Sequence, residues 1–158
     1  MGETHKTYTV EEAKRKLEYF CVYQDRCHDE VYQKLKSLLM IPIAIDTIMA
    51  HLIEHNFLNE ERFACSFARG KFRIKQWGKR RIVQELKFRN ITKYNIDRAL
   101  KEIDEDEYLE AFNNLAEKQW QNITGSVLNR RKKLTDFLLR KGFETQLIND
   151  KVYALAHL

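Results

Sequence analysis

Residues 56–100 read NFLNEERFACSFARGKFRIKQWGKRRIVQELKFRNITKYNIDRAL. From Arg62 to Lys101 there are thirteen Lys and Arg against two acids, Glu85 and Asp97, a local excess of eleven positive charges. The flanks lean the other way, residues 1–61 summing to −4 and residues 102–158 to −2. Apolar residues run through the basic stretch at helical spacing, so it is a folded surface and not a solvated tail. Such a surface is built to meet something anionic. Asn59 is placed to cap a helix with Glu60 and Glu61 in its first turn and Phe63, Phe67, Gly70 and Ile74 on its inner face. Gly78 breaks that helix, Ile82 and Leu86 mark a short second one that Asn90 ends, and Thr92 caps a third with Ile96, Ala99, Leu100 and Ile103 inside.

The same order of helices recurs on both sides. Upstream, Thr9 caps a helix bearing Ala13, Leu17 and Phe20 or Cys21. Asp29 and Glu30 open one bearing Val31, Leu35 and Leu38, and Pro42 sits in the first turn of one bearing Ile45, Ile48, Met49 and Leu52. Downstream, a long helix from about Asp104 to Trp120 is followed by a break at Gly125. A helix over 127–141 carries Leu134 and Leu138, and past Gly142 the last one carries Ile148, Val152 and Leu155. Leu35, Leu86 and Leu138 are 51 and 52 residues apart, and so are Ile45, Ile96 and Ile148, Met40, Ile91 and Phe143, and Met49, Leu100 and Val152. Shared spacing in four columns indicates three tandem units, 1–57, 58–103 and 104–158, each too small to bury its apolar face alone. The expected fold is all-α: three three-helix repeats in an elongated, curved, solenoid-like array.

Composition narrows the classes. With 44% hydrophobic and 32% charged residues, one Pro and five Gly, the chain suits a compact helical protein rather than a β sandwich or a disordered tail. No apolar run reaches the roughly 18 residues of a membrane span. The start, MGETHKTYTVEEAKRK, has no apolar stretch behind its charges and no Ser or Thr at position 6, so neither a secretory signal nor a myristoylation pattern is expected. Cys21, Cys27 and Cys65 are odd in number and without paired spacing, which fits reduced, buried thiols in a cytoplasm. A monomer without cofactor is expected.

Within the basic unit, Arg62, Arg69 and Arg73 are spaced by seven and four and form one stripe beside the core face, with Lys71 and Lys75 on the same helix. Arg80, Gln84 and Lys87 make a second stripe. Lys79, Arg80 and Arg81 stand at a helix start, where the macrodipole disfavours cations. They make sense if an anion docks on them and on the free amides. Trp77 lies among these cations as a core or stacking residue.

FLNEERFA, the basic helix after it, WGKRRIVQEL and the Ile–Asp–Ala–Leu stretch together resemble the RecX family of recombination regulators. The matching positions are Phe57, Leu58, Glu60, Glu61, Arg62, Phe63, Ala64, Gly78, Arg81, Ile82, Glu85 and Leu86. The resemblance implies a three-unit helical fold and a partner, the RecA recombinase filament on single-stranded DNA. The protein would lie in the filament groove and restrain strand exchange, ATP turnover and co-protease activity, touching single-stranded DNA weakly and without sequence preference. Three positions depart from the family's pattern: Asn56 and Asn90 stand where Gly is usual, and Lys79 where Pro is usual. Asn tolerates the left-handed conformation, so both turns should survive.

Three other readings compete. His51–Leu52–Ile53–Glu54–His55 fits the H-x-x-E-H zinc-protease pattern, with both His one turn apart on a helix, but no third ligand stands out. Cys27 and His28 are adjacent and diverge on a helix, so they make a poor thiol–imidazole dyad. No phosphate loop, catalytic triad or carboxylate pair is present, which argues against an enzyme. The stronger competitor is a helix-turn-helix reader of duplex DNA, although the helix after Thr92 offers few outward Asn, Gln or Ser to read bases.

Overall fold

The computed structural model describes residues 6–158; the first five residues, part of the stretch read above for a targeting signal, lie outside it. The described residues form nine α-helices and no strand: α1 Val10–Tyr23, α2 His28–Ser37, α3 Pro42–Glu54, α4 Glu60–Lys75, α5 Lys79–Phe88, α6 Lys93–Leu100, α7 Glu105–Asn122, α8 Val127–Lys141 and α9 Thr145–Ala156. Taken three at a time they make three modules, and the chain is an all-α array of three-helix repeats. Among the described residues no helix is long and apolar enough to cross a membrane.

Local chemistry sets the ends of these helices. Thr9 and Glu12 close a reciprocal capping box on α1, with bonds of 3.1 and 3.2 Å. Asn59, Thr92, Asp104 and Ser126 accept an amide from the third residue of α4, α6, α7 and α8. Pro42 opens α3, where its missing N–H costs nothing. The second helix of each module ends on a left-handed residue: Leu39 (φ 62°), Asn90 (φ 59°) and Gly142 (φ 95°). Asn56 is also left-handed at φ 61°, so both asparagines take the conformation expected of them.

Every residue of the repeat columns at 35/86/138 and 45/96/148 is buried. The interior, however, is divided unevenly. Ala13, Leu17, Cys21, Val31, Leu35, Leu38, Ile45, Ile48 and Leu52 form a core of the first module, joined by Leu58 from the start of the second. The second and third modules share one core, in which Phe72, Tyr108, Phe143 and Phe112 follow one another with ring centroids 5.7, 5.6 and 5.0 Å apart. Cys27 is the one residue of the first module in that shared core.

One expected face is corrected. On α4 the buried residues are Phe63, Ala64, Cys65, Ala68 and Phe72, while Ile74 is 79% exposed and Phe67 only half-buried. The alanines let α6 approach closely, so the small-residue face turns inward. The stripe Phe67–Gly70–Ile74 instead lines a groove of about 450 Å³ with Gln24, Asp25, Ser66, Lys71 and Lys75.

Candidate functional site

The basic helices do not offer all their charge outward. Arg62 Nε donates to Asp25 at 2.7 Å, and its guanidinium also reaches the carbonyls of Asn56 and Phe57 at 3.1 Å each. Arg69 donates to Glu102 at 3.0 Å, Arg73 lies 3.5 Å from Glu107, and Lys79 Nζ donates to Glu105 at 2.8 Å. Four of the nine expected cations therefore face carboxylates of their own chain. Two of those carboxylates, Glu105 and Glu107, come from the acidic first turn of α7, and Asp25 comes from the first module. Arg69, with Arg98, also holds the Glu102 carboxyl below the usual carboxylate range.

Lys71, Lys75, Arg80, Arg81 and Lys87 have no acidic partner among the described residues. Two of them gather at Trp77. Lys71 Nζ is 5.1 Å and the Arg81 guanidinium 4.1 Å from the indole centroid, and Phe67 meets the indole edge-on at 6.2 Å. Lys141 Nζ donates to the Lys75 carbonyl at 3.0 Å, and Arg81 donates to the Arg140 carbonyl at 3.1 Å. Lys71 and Arg81 thus flank Trp77 where the second and third modules meet, with Lys141 bonded to the backbone of Lys75 beside them, and Lys71 and Lys75 edge the Phe67–Gly70–Ile74 groove. Arg80 lies apart, donating to Thr145 at 2.9 Å. Lys87 lines a different surface pocket beside α6. Lys141 escapes a reading of the basic stretch alone, because it belongs to an otherwise acidic third of the chain. The 51–52-residue repeat carries the signal, since it sets the last turn of α8 in step with that of α5.

The amides that open α5 are not free for a ligand, which corrects the expectation of an anion docked there. Gly78 N–H donates to the Lys141 carbonyl at 2.7 Å and Arg80 N–H to that of Gly142 at 2.9 Å. Lys79 N–H donates to the Tyr108 hydroxyl at 3.0 Å, and that hydroxyl donates to Glu144 at 2.9 Å. The negative counterpart of three cations at a helix start is the carbonyl end of α8 together with Glu105 and Glu144. Lys79, where the family has Pro, supplies an N–H that proline lacks, and the buried Tyr108 uses it. Two glycines permit the contact. A Cβ on Gly78 would overlap the backbone of Gly142, and one on Gly142 would overlap Arg81.

The competing sites do not assemble. His51 Nε2 lies 3.3 Å from Glu18, and the His55 ring is tilted against that of His51 with centroids 4.5 Å apart; no cluster of three or more metal-binding side chains is present among the described residues. Cys27 Sγ donates to Glu30 at 3.3 Å while His28 Nδ1 faces Glu60 at 3.6 Å, so thiol and imidazole point to different partners. Burial pushes the Cys27 thiol up to about 12. On α6, Lys93 is held by Asp97 at 2.8 Å and Arg98 by Glu61 and Glu102, which leaves little free charge for duplex DNA.

Comparison with known proteins matches this arrangement. The family model for the second three-helix domain of RecX matches residues 59–100, and that for the third three-helix domain matches residues 105–152. A regulatory protein RecX of Vibrio campbellii is 31% identical over 84% of this chain and 83% of its own length. One from Enterococcus faecalis is 27% identical over 98% of this chain and 62% of its own length, and this chain spans 47% of a Bacillus cytotoxicus relative. The crystal structure of RecX from Lactobacillus salivarius superposes with a TM-score of 0.80 at 25% identity, covering 94% of this chain and 97% of that one. With its repeat, its core motif and both domain matches in agreement, this chain belongs to the RecX family of regulatory proteins.

Proposed function

We propose that this chain is a negative regulator of the RecA recombinase, lying along the groove of the RecA–single-stranded DNA filament and restraining strand exchange, ATP hydrolysis and co-protease activity. The observation that carries this reading is the basic surface made by Lys71 and Arg81 on Trp77, with Lys75 and Lys141 beside them. It is cationic, lacks acidic partners among the described residues and adjoins an apolar groove. Cations beside an aromatic face and a greasy channel suit a mixed surface of acidic protein and unstacked strand. Contacts of this kind are blind to sequence. If about four phosphates are engaged, single-strand binding falls with a log–log salt slope near −3.

The duplex-reading alternative gains nothing from α6, whose cations Lys93 and Arg98 are spent on Asp97, Glu61 and Glu102. The test is the rate of DNA-dependent ATP hydrolysis by RecA with added wild-type protein or the K71E/K75E double variant. Neither lysine side chain makes a hydrogen bond or ion pair among the described residues, and Lys71 gives up only its approach to the Phe67 and Trp77 rings, so the fold is retained by circular dichroism. Inhibition weakens by roughly tenfold or more, as expected when rim charges that steer association are reversed. Equal inhibition by the variant removes the cluster from the binding surface.

A further inference from the structure

Glycine inside a helix weakens it relative to alanine, because it gives up more backbone freedom on folding and packs no side chain. Among the described residues Gly125 and Gly142 hold positive φ, and Gly78 and Gly142 sit where a Cβ would overlap the facing module. Gly70 has neither reason. It lies in the middle of α4, and a Cβ built on it would meet nothing within 4 Å. The packing of the chain itself does not call for a glycine there, and the space it leaves opens into the groove along α4. Helix backbone bared on a concave surface admits the close approach of something from outside.

The groove has two unlike sides. At about 100° per residue, Phe63, Phe67, Gly70 and Ile74 form one stripe, with Ser66 on one flank and Lys71 and Lys75 on the other. The stripe runs roughly 16 Å at 1.5 Å per residue, the span of about five extended residues. Ser66 leads to the wall made by Gln24 and Asp25. Both oxygens of Asp25 are taken, one by Arg62 at 2.7 Å and one by Ser66 at 3.0 Å, so that wall carries no unanswered negative charge. The opposite flank is positive, since Lys71 and Lys75 make no ion pair among the described residues. The rings nearby are not open for a base to stack on. Phe63 is buried, Phe67 lies under Lys71 Nζ at 5.5 Å and the Arg89 guanidinium at 4.9 Å, and Trp77 lies under Lys71 and Arg81. What faces outward is the exposed Ile74 and the bare backbone of Gly70 beside two lysines.

We propose that this groove takes a short extended segment of a partner protein, an apolar side chain seated on Gly70 against Phe67 and Ile74, and acidic residues next to it facing Lys71 and Lys75. The inference rests on the reading of this basic face as the one that meets the filament, and it assigns the groove to protein and not to the DNA strand. An apolar anchor supplies the affinity, while the lysines on one flank set orientation and speed association. A strand of unstacked bases needs open ring faces, and the groove offers it none.

The test contains no recombinase, so its failure is distinct from failure of the ATPase test above. Backbone amide resonances of the full chain are followed by NMR as an acidic hexapeptide with leucine and phenylalanine at its centre is added. The same peptide with alanines at its centre, and hexathymidylate, are titrated in parallel. The amides of Ser66, Gly70 and Ile74 move with the leucine–phenylalanine peptide, and the alanine peptide binds roughly tenfold or more weakly. Gly70→Leu fills the notch and abolishes the movement, yet it melts at or above the wild-type midpoint, because leucine is the better helix former and meets open space. The proposal is overturned if the two peptides bind alike, if Gly70→Leu binds as wild type does, or if that variant melts lower and so shows the glycine to be needed inside the chain. Should hexathymidylate move the Gly70 amide and displace the peptide, the groove belongs to the strand and the assignment to protein is wrong.

Discussion

Between the second and third modules the aromatic series Phe72, Tyr108, Phe143 and Phe112 crosses without interruption, and two backbone hydrogen bonds from the start of α5 to the end of α8 close the edge. Between the first and second modules the contacts are mainly polar: Asp25 with Arg62 and Ser66, Glu60 with the His28 amide, and Asp29 with Asn90, while only Cys27 and Leu58 each join the neighbouring core. The difference teaches that one repeat can be joined in two ways with different mechanical consequences. A shared apolar interior cannot open without exposing its rings to water. A seam of partly exposed ion pairs, each worth about 0–1 kcal/mol, can open at little cost. The cationic cluster at Trp77 lies on the rigid joint, and the groove beside it is bounded across the soft one by Gln24 and Asp25. The first module thus supplies one wall of that groove, across the seam from the basic surface at Trp77.

The largest test of this contrast is Phe143→Ala. Its ring is 1% exposed and lies between Tyr108 and Phe112, so truncation leaves a cavity and costs about 3–5 kcal/mol. Both tryptophans, Trp77 and Trp120, lie in the second and third modules, so their fluorescence follows that pair alone, while far-UV dichroism follows every helix. In urea the fluorescence transition moves to lower denaturant and a later dichroism phase from the first module stays behind. If both signals move together by the same amount, the soft seam does not exist.

Asp25→Ala probes the seam directly and is expected to cost about 1 kcal/mol. Arg62 keeps the carbonyls of Asn56 and Phe57, so no guanidinium is stranded, while Ser66 loses its acceptor. The fluorescence transition stays near its wild-type midpoint and the dichroism of the first module separates from it. A loss of about 3 kcal/mol or more would mark the pair as a buried network and would make the two junctions alike.

Much of this architecture was legible in the residues. Caps at Thr9, Asn59 and Thr92, the left-handed Asn56 and Asn90, and the buried columns at 35/86/138 and 45/96/148 follow from short-range chemistry and a period, both of which a linear sequence displays. The inner face of α4 was not legible. Phe67 and Ile74 are larger than Ala64 and Ala68, and hydrophobic size alone picks the wrong stripe when close approach of α6 demands small residues. The fate of the cations was also hidden. Glu102, Glu105 and Glu107 fall just beyond the basic stretch, and only folding carries them back to Arg69, Lys79 and Arg73. Lys141, 66 residues beyond Lys75, reaches the site through the repeat.

The smallest effect separates the modules by acid. Glu12, in the first module, is held below its ordinary value of 4.5, first by the Thr9 amide and then by the Thr9 hydroxyl. Glu102, in the second, is held below the same value, first by the Arg69 hydrogen bond. A carboxylate whose folded value is depressed contributes stability that is complete above the unfolded value and is lost as pH falls through the folded one. Both contributions therefore hold at neutral pH and disappear on acidification from about 4.5 downward. Glu102→Gln should flatten the acid dependence of the tryptophan transition and leave that of the first module's dichroism as in wild type, while Glu12→Gln should do the converse. Where the seam is soft, each substitution is felt on its own side only. If Glu12→Gln flattened the tryptophan transition, proton binding in the first module would be coupled to the shared core, and the seam would have to transmit what its half-exposed ion pairs are too weak to carry.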